Sequence, residues 1–359
     1  MDIRNQRQSE FSEQWLTSNR FNIMYIAPRV GKIRTTILIL EKLKKNCTIL
    51  VAFPDNKIKK SWKDDFKRWG YDDACVTYTT YLSLKKYKDC LYDLVVLDEI
   101  HTISEAQIVV CKELLEHNKE IVALTGTLSS WTEKVLREDL GLKVLVRYPI
   151  ELAIEEDILP DYEITVVTVP LDGRIKKDYN GKFKTEKERF NNLMWVVREQ
   201  EKEEKPSFMI KLKIIDLLMN SVSRLNKTKE LIQKHIDERI LIFCGRTEIA
   251  DNLGIPSYHS KSEEKETFDN FLNGTISHLA VVKIGATGST YLPLNRVIIN
   301  HFSSSSEDLT QKLNRAMSFE YDNPQKVAKL YILCSTEEIE KSWLKRALSM
   351  FDSKKIKYV

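Results

Sequence analysis

Short, nearly continuous apolar runs alternate with helical patterns along most of the chain, and this alternation strongly limits the possible folds. Runs such as LVVLD leave no polar face for solvent, so helices are expected to cover such strands on both sides. Strands and helices that alternate in this way predict βαβ units and a parallel sheet. In the first half, strands are predicted at 22–27, 48–53, 94–98 and 121–125, and helices at 32–45, 58–69 and 105–118.

The second half of the chain repeats the alternation. Strands are predicted at 240–244, 279–284, 296–300 and 327–334, and helices at 211–218, 228–236, 263–272 and 310–317. We therefore expect two α/β lobes, residues 1–158 and 159–359, in a chain of 359 residues. A charged stretch at about 172–206 is expected to be a solvated helical insertion or a connector.

Composition narrows the functional classes. No apolar run reaches the roughly 20 residues of a membrane span, and the start MDIRNQRQSEF lacks a signal-peptide core, so we expect a cytoplasmic protein. The six cysteines show neither CxxC spacing nor a histidine at zinc-ligand spacing, which predicts reduced thiols and no zinc site. The net charge of +4 is compatible with a polyanionic partner and does not establish one.

A candidate phosphate-binding loop follows the first predicted strand. It consists of Pro28, Arg29, Val30, Gly31, Lys32 and Ile33. Backbone N–H groups and the positive end of the following helix can cradle a phosphate there, and Lys32 can place a cation on the β- and γ-phosphates. The usual ending GK[ST] is Gly31-Lys32-Ile33 in this chain, so the hydroxyl that ordinarily holds Mg²⁺ is absent.

Two adjacent carboxylates end the apolar strand in LVVLDEIH. Asp98 can hold Mg²⁺ through water, and Glu99 can orient and deprotonate an attacking water. A DE pair can also simply cap a helix. The phosphate loop upstream and the segment LTGT downstream favour the catalytic interpretation, and the predicted cofactors are ATP and Mg²⁺.

In this order, the segments resemble the superfamily 2 helicases, particularly their Swi/Snf-like and phage-type members. Five segments resemble the motifs of the first lobe: IAPRVGK, VAFPDNKIKKSWKDDFKRWG, TYTTYLSL, LDEIH and LTGT. The segment ELAIEEDILPDYEI resembles the one by which the chain leaves that lobe. Four segments resemble the motifs of the second lobe: RILIFCGRTEIADNL, YHSKSEEKETFDNFLNG together with VVKIGATGSTYLPLNRVI, and QKLNRAMS. The resemblance covers nearly the whole chain and implies two tandem RecA-like lobes, each a parallel sheet flanked by helices.

The resemblance also implies roles for individual residues. The catalytic group would be Lys32, Asp98, Glu99, Gln311 and Arg315. Gln8, or alternatively Gln6, would read the adenine beside the phosphate loop. Coupling of ATP to nucleic acid would involve His101, Thr125, Thr127 and Gly288. Nucleic acid would contact Thr80, Thr127, Arg246, Ser260 and Thr287, for each of which an ordinary turn or capping role is the alternative.

This chain departs from the family pattern at several positions. Ile33 replaces the metal-binding hydroxyl, Ser318 falls where the second arginine of QxxGRxxR belongs, and Asn314 replaces the glycine of that motif. A single arginine that stabilises the transition state can contribute about 10³–10⁵ in rate, so these losses bear on turnover.

The function that the resemblance implies is an ATP-dependent DNA helicase or translocase. Its substrate would be duplex or branched DNA rather than RNA, and it would act as a monomer of phage or viral type beside replication or recombination proteins. One alternative is a nucleotide-binding, DNA-clamping protein with weak or no ATPase activity. Another is the motor subunit of an assembly whose nuclease is a separate chain, since no PD…ExK or HNH-like pattern appears.

Overall fold

The computed structural model describes residues 2–43, 47–177, 183–262, 266–282, 294–317 and 326–359. The chain divides into two compact units, of which the first comprises Met1–Pro160 and the second begins at Asp161. The predicted boundary, between residues 158 and 159, lies two residues before this division.

Strands and helices alternate in the first unit, as their apolar pattern predicts. Its strands are β1 (Phe21–Ile26), β2 (Ile49–Phe53), β3 (Val76–Thr80), β4 (Leu94–Leu97), β5 (Ile121–Thr125) and β6 (Lys143–Tyr148). Its helices are α1 (Ile3–Thr17), α2 (Lys32–Lys42), α3 (Lys57–Arg68), α4 (Glu105–His117), α5 (Ser130–Leu140) and α6 (Ile150–Glu155). Short 3₁₀ segments cover Tyr81–Tyr87 and Ile100–Thr102.

The strands of the first unit form a parallel sheet in the order β3-β2-β4-β5-β1-β6. The central strands β2, β4 and β5 are buried at every position, because helices cover both faces of the sheet. Apolar residues of α4 and α5, including Leu114 and Leu136, pack with strand residues in one core cluster. The loops after β1, β4 and β5 therefore share one edge of a rigid sheet.

The second unit follows the same plan with a different strand order. Its strands are β7 (Asp161–Val169), β8 (Arg174–Lys177), β9 (Phe183–Thr185), β10 (Ile240–Phe243), β11 (Ser257–Tyr258), β12 (His278–Val281), β13 (Arg296–Ile299), β14 (Val327–Ser335) and β15 (Ile356–Tyr358). Its helices are α7 (Glu186–Lys202), α8 (Phe208–Met219), α9 (Val222–Lys234), α10 (Thr247–Asp251), α11 (Glu266–Leu272), α12 (Ser306–Leu313) and α13 (Glu338–Ala347). The parallel sheet has the order β11-β12-β10-β13-β14-β7-β15. The prediction of two parallel sheets flanked by helices is confirmed.

Several elements differ from the sequence-based expectations. Helix α12 was expected at 310–317, but it begins at Ser306 because the Ser305 hydroxyl accepts a hydrogen bond from the Asp308 amide and caps it. Helix α9, expected at 228–236, begins at Val222 because Ser221 caps it in the same way. The pattern missed α1, whose weak amphipathic character gives little periodic signal.

The charged stretch at about 172–206 contains an antiparallel pair, β8 and β9, followed by α7. Glu186, in the first turn of α7, is fully buried. Its carboxylate accepts hydrogen bonds from the Val222 and Ser223 amides at the start of α9. This insertion is therefore anchored to the second unit by a buried carboxyl group at a helix N-terminus. In the part of the chain that the structure describes, no helix is long and apolar enough to cross a bilayer.

Candidate active site

The residues expected to bind and hydrolyse nucleotide in the first unit converge at the carboxyl ends of β1, β5 and β4. These strands are neighbours in the order β4-β5-β1, so the segments that follow them are adjacent. The carboxyl edge of an open parallel sheet is where such folds bind ligands. Because β5 lies between the other two strands, its own C-terminal segment separates the phosphate loop from the carboxylates.

The loop after β1 has the backbone geometry of a close turn. Arg29 and Gly31 have φ values of 67° and 115°, and the second value is one that L side chains rarely adopt. A Cβ atom at Gly31 would lie 2.2 Å from Nε2 of Gln8. That buried Gln8 amide donates to the Val30 carbonyl at 2.7 Å. The loop therefore needs glycine for its conformation, and a Cβ atom there would also displace the end of the Gln8 side chain.

Lys32, the first residue of α2, forms an ion pair with Glu99 from the end of β4. Both side chains are mostly buried, with 12% and 18% of their surface exposed. The pair spans the end of β5 at Gly126, where a Cβ atom would lie 3.3 Å from the Lys32 Nζ and 2.8 Å from the Pro28 Cγ. The absence of a side chain at position 126 leaves the room that Pro28 and the Lys32 amine occupy.

A chain of polar contacts continues from Glu99 to the LTGT segment. The second carboxylate oxygen of Glu99 lies 3.4 Å from Nδ1 of His101. That nitrogen lies 2.9 Å from the Thr125 hydroxyl, which donates in turn to the Thr127 carbonyl. Since the Thr125 hydroxyl uses its proton on Thr127, it accepts from His101, which places the imidazole proton on Nδ1. Thr127 itself is buried, so in this structure it offers no exposed hydroxyl to a ligand.

Asp98 is buried and held on several sides. Its Oδ2 accepts from the Trp62 indole N–H at 2.9 Å, and its Oδ1 accepts from the Glu99 amide at 2.9 Å. Its main-chain carbonyl accepts from the Tyr81 hydroxyl at 2.8 Å. Glu99 itself adopts a left-handed conformation, with a φ of 50°. This turn of the backbone directs the two adjacent carboxylates to different partners, Trp62 and Lys32.

The pKa values of the two carboxylates, Asp98 and Glu99, are shifted in opposite directions. Burial, together with the neighbouring charge of Glu99, raises the pKa of Asp98 to about 6 against the opposing effect of Lys32. Burial also opposes ionisation of Glu99, but Lys32 and His101 outweigh it and lower the pKa of Glu99. Burial disfavours the charged form of Lys32, and Glu99 with Asp98 more than compensates and raises its pKa. Glu99 and Lys32 are therefore charged at neutral pH, and Asp98 takes up a proton more readily than Glu99.

The residues present fit a nucleoside triphosphate with Mg²⁺. The loop, with its left-handed Arg29 and Gly31, lies at the start of α2, where backbone N–H groups can receive a phosphate, and Lys32 supplies a cation beside it. Asp98 and Glu99 supply the oxygen ligands and the base that hard cations and hydrolytic water require. Ile33, the second residue of α2, contributes no hydroxyl. Among the described residues, no group of three or more histidine, cysteine or carboxylate side chains forms a metal cluster.

The other expected residues are distributed over both units. Thr80 ends β3 beside Tyr81 and is half-buried. In the second unit, Gln311 lies on α12, Arg315 follows that helix in a turn, and Ser260 is exposed after β11. Arg246 pairs with Asp216 at 2.6 Å, and both are about half exposed. Thr287, Gly288 and Ser318 lie outside the described residues.

The sequence did not reveal the contacts made by Trp62, Tyr81 and Gly126. Trp62 and Tyr81 stood within motif-like segments, but nothing in their local spacing indicated that both would bond to Asp98. Gly126 lies between the two threonines of LTGT. Only the structure shows that Pro28 and Lys32 lie against this position and leave no room for a side chain. On α3, Ile58, Trp62 and Phe66 recur every four residues and form the buried face of the helix.

Comparison with known proteins finds solved structures that share this fold. No model of a known protein family matches the chain, and no curated protein sequence is significantly similar to it. A structure of S. cerevisiae Dbp5 bound to RNA and ADP BeF3 superimposes with a TM-score of 0.64 at 9% identity, covering 98% of this chain and 88% of that one. The Pyrococcus furiosus Hef helicase domain gives 0.50 at 13% identity, covering 96% and 97%.

A DNA-bound structure of the ATP-dependent Type ISP restriction-modification enzyme LlaBIII also matches, with a TM-score of 0.64 at 14% identity. The superposition covers 100% of this chain but only 31% of the length of that enzyme. These similarities confirm the expected fold of two tandem RecA-like lobes. At such low identities they concern the fold alone.

Proposed function

We propose that this protein is a superfamily 2 ATPase that uses ATP hydrolysis to move along or remodel duplex or branched DNA. The observation that carries this proposal is the cluster at one sheet edge, where Lys32, Glu99 and Asp98 meet beside the glycine-dependent loop. The helicase folds of the similar structures support it, and so do the ordered motif-like segments of the sequence.

Each residue of the cluster has a distinct task in this proposal. Lys32 would exchange its partner Glu99 for the β- and γ-phosphates, which frees the Glu99 carboxylate to orient water and accept its proton. Asp98 would hold Mg²⁺ through water, and bound Mg²⁺ would offset the charge that develops on the phosphate oxygens. His101 would pass the state of Glu99 to Thr125 and Thr127. Gln311 and Arg315, of the second unit, are proposed to take part in catalysis, as the resemblance of QKLNRAMS implies.

The nucleic-acid part of the proposal rests on α3. Its buried face holds Ile58, Trp62 and Phe66, and its exposed face carries basic side chains. These exposed basic residues are Lys57, Lys59, Lys60, Lys63, Lys67 and Arg68. A basic helix face of this kind neutralises backbone phosphates irrespective of base sequence. We favour DNA over RNA because SWKDDFKRW and TTYLSL are the segments that look Swi/Snf-like.

A second candidate is a nucleotide-dependent DNA clamp with little turnover. Ile33 favours it, because a magnesium ion at this loop lacks the hydroxyl ligand that the first turn of α2 ordinarily provides. Both candidates bind nucleotide and DNA, so only hydrolysis separates them.

The test is ATP hydrolysis in Mg²⁺, measured alone and with duplex DNA, single-stranded DNA or RNA. Lys32→Ala and Glu99→Gln are each expected to lower DNA-stimulated turnover by at least about 10²-fold, the loss typical of a removed charge-stabilising group. Lys42→Ala is the matched control, because Lys42 lies on the same helix and also pairs with a glutamate, Glu13, at the surface. It is expected to retain full activity.

Three other outcomes would change the proposal. If wild-type turnover does not exceed that of the variants while DNA binding is intact, the second candidate, a nucleotide-dependent DNA clamp, is supported. Stimulation by RNA alone would reassign the substrate. A Lys60→Gln, Lys67→Gln double variant is expected to reduce the slope of log affinity against log salt by about 1.8, at roughly 0.9 for each phosphate contact; an unchanged slope would remove α3 from the DNA surface.

A further inference from the structure

The strongest unassigned feature of the site is the indole of Trp62. Its Nε1 donates to the Asp98 Oδ2 at 2.9 Å, and neither residue has more than 4% of its surface exposed. A tryptophan that contributes only packing has no need of a carboxylate partner. This one directs its single donor at the side chain that is expected to hold the metal.

Packing fixes the direction of that donor. Trp62 lies between Ile58 and Phe66 on the buried face of α3, and the rings of Trp62 and Phe66 are 5.7 Å apart at an angle of 53°. The other carboxylate oxygen of Asp98 is held by the Glu99 amide, and its main-chain carbonyl is held by Tyr81. Asp98 is therefore restrained in both its backbone and its carboxylate plane. In the described part of the chain, Trp62 is the only side chain that donates a hydrogen bond to that carboxylate.

Ile33 explains why this restraint matters more here than in a loop that ends in serine or threonine. Where a hydroxyl is present, two protein groups share the metal, the hydroxyl and the aspartate. In this chain the hydroxyl is missing, so the position of the ion depends on the orientation of Asp98. Hydrogen bonds that orient a ligand typically change metal affinity by about 10- to 100-fold.

We propose that Trp62 is a positioning residue for Mg²⁺: its indole N–H fixes the Asp98 carboxylate for the metal that accompanies nucleotide, and it compensates for the hydroxyl that Ile33 does not supply. The indole N–H uses one acceptor direction of Oδ2, and the remaining lone pairs of the carboxylate stay available to metal-bound water. This inference rests on the proposed nucleotide site and adds a residue to it.

The experiment measures binding of a fluorescent, non-hydrolysable ATP analogue as Mg²⁺ is titrated, and separately in EDTA. Trp62→Phe keeps the ring and removes the donor. It is expected to raise the half-saturating Mg²⁺ concentration by about tenfold, and to leave affinity in EDTA unchanged. Trp15→Phe is the matched control, because Trp15 is equally buried and its indole donates to a backbone carbonyl, that of Ile121, at 3.1 Å. It is expected to change neither quantity.

A rescue separates positioning from a merely structural role. Ile33→Thr in the Trp62→Phe background restores a hydroxyl at the loop, and it is expected to return the half-saturating Mg²⁺ concentration most of the way to the wild-type value. Lost packing would not respond to a hydroxyl. If Trp62→Phe does not fold, Phe66→Leu loosens the indole while keeping its N–H, and a smaller rise in the Mg²⁺ requirement is expected.

The outcomes separate a failure of the role proposed for Trp62 from a failure of the proposed nucleotide site. If wild-type protein binds the analogue with no dependence on Mg²⁺, the proposed metal site itself fails. If wild-type binding depends on Mg²⁺ but Trp62→Phe behaves like Trp15→Phe, only the role of Trp62 is overturned. The same conclusion follows if Trp62→Phe weakens binding equally in EDTA and in Mg²⁺.

Discussion

Each unit contains a cation, a carboxylate and a histidine in contact, but the two groups differ in their access to solvent. In the first unit, Lys32 and Glu99 retain 12% and 18% exposure, and the chain of contacts continues through His101. In the second unit, Arg224 of α9 and Glu340 of α13 form an ion pair in which both side chains are fully buried. His301 lies beside it, with Nδ1 3.3 Å from the guanidinium.

The difference in burial separates a group that is open enough for the proposed binding of nucleotide from one that can serve only the structure. The open group, Lys32 with Glu99, lies at the end of strands beside a glycine loop and keeps part of its surface exposed, which is the access that the proposed exchange of Glu99 for phosphate requires. The sealed group, Arg224 with Glu340, is closed by the Asn300 carbonyl and the Ser335 amide. A ligand could reach it only by unfolding the helices around it, so its charges hold those helices together.

The largest expected effect is on the sealed group. Arg224→Met leaves the Glu340 charge buried without its partner and is expected to lower the free energy of unfolding by about 3–5 kcal/mol. Urea unfolding measures this loss. The matched control is Lys227→Met on the same helix, which removes an exposed ion pair with Glu230 and should cost less than about 1 kcal/mol. The comparison fails if Glu99→Gln, in the open group, destabilises the protein as much as Arg224→Met.

A double replacement sharpens the contrast. Arg224→Met with Glu340→Leu removes both buried charges, and apolar pairs of similar volume often replace buried ion pairs without loss. We expect recovery of about half of the stability lost in the single variant, because the Ser335 amide and the Asn300 carbonyl still lose partners. Lys32→Met with Glu99→Leu should by contrast restore no hydrolysis. Recovery of activity in that second pair would show that the open group is also structural.

The pH dependence of stability reports on the sealed histidine. Burial, with the adjacent Arg224 charge, lowers the pKa of His301 from 6.5 to about 3. Between these values the unfolded state binds a proton that the folded state does not, so stability falls as pH falls, by up to about 1.4 kcal/mol per pH unit. From pH 6.5 to 5 the expected loss is about 1.6 kcal/mol.

His301→Gln should flatten this slope, as measured by urea unfolding at each pH. The matched control is His117→Gln, at the exposed end of α4. Equal slopes in wild type and His301→Gln would mean that the second unit does not seal this histidine.

The smallest expected effect is on the open group. Gly126→Ala would place a Cβ atom 2.8 Å from Pro28, so the loop must shift and carry Lys32 with it. We expect nucleotide affinity to weaken by about 1–2 kcal/mol, the cost of modest overpacking. Gly141→Ala is the control, because its φ of 69° strains an alanine where no atom crowds it. It should lower stability slightly and leave nucleotide affinity unchanged; a matching loss of affinity would show that Gly126 has no special role.

Much of the first unit could be predicted from sequence, and the reasons are local. The apolar runs at β1, β4 and β5 are short, uninterrupted and flanked by helical periodicity, so their positions follow from pattern alone. Helix α1 and the starts of α9 and α12 were less accessible. The first lacks a periodic apolar face, and the other two depend on serine caps whose signal is weak beside the surrounding apolar pattern.

The sequence by itself determined where these strands end and which polar residues lie there. A glycine-lysine loop follows β1, two carboxylates follow β4, and two threonines lie at the C-terminal end of β5. Only the tertiary structure decided the partners. Glu99 meets Lys32 across 67 residues, Trp62 meets Asp98 across 36, and Arg224 meets Glu340 across 116. Such pairings depend on strand order and on the direction in which packed side chains point. Periodicity in a sequence records which face is buried, and it carries no information about which distant donor will lie opposite.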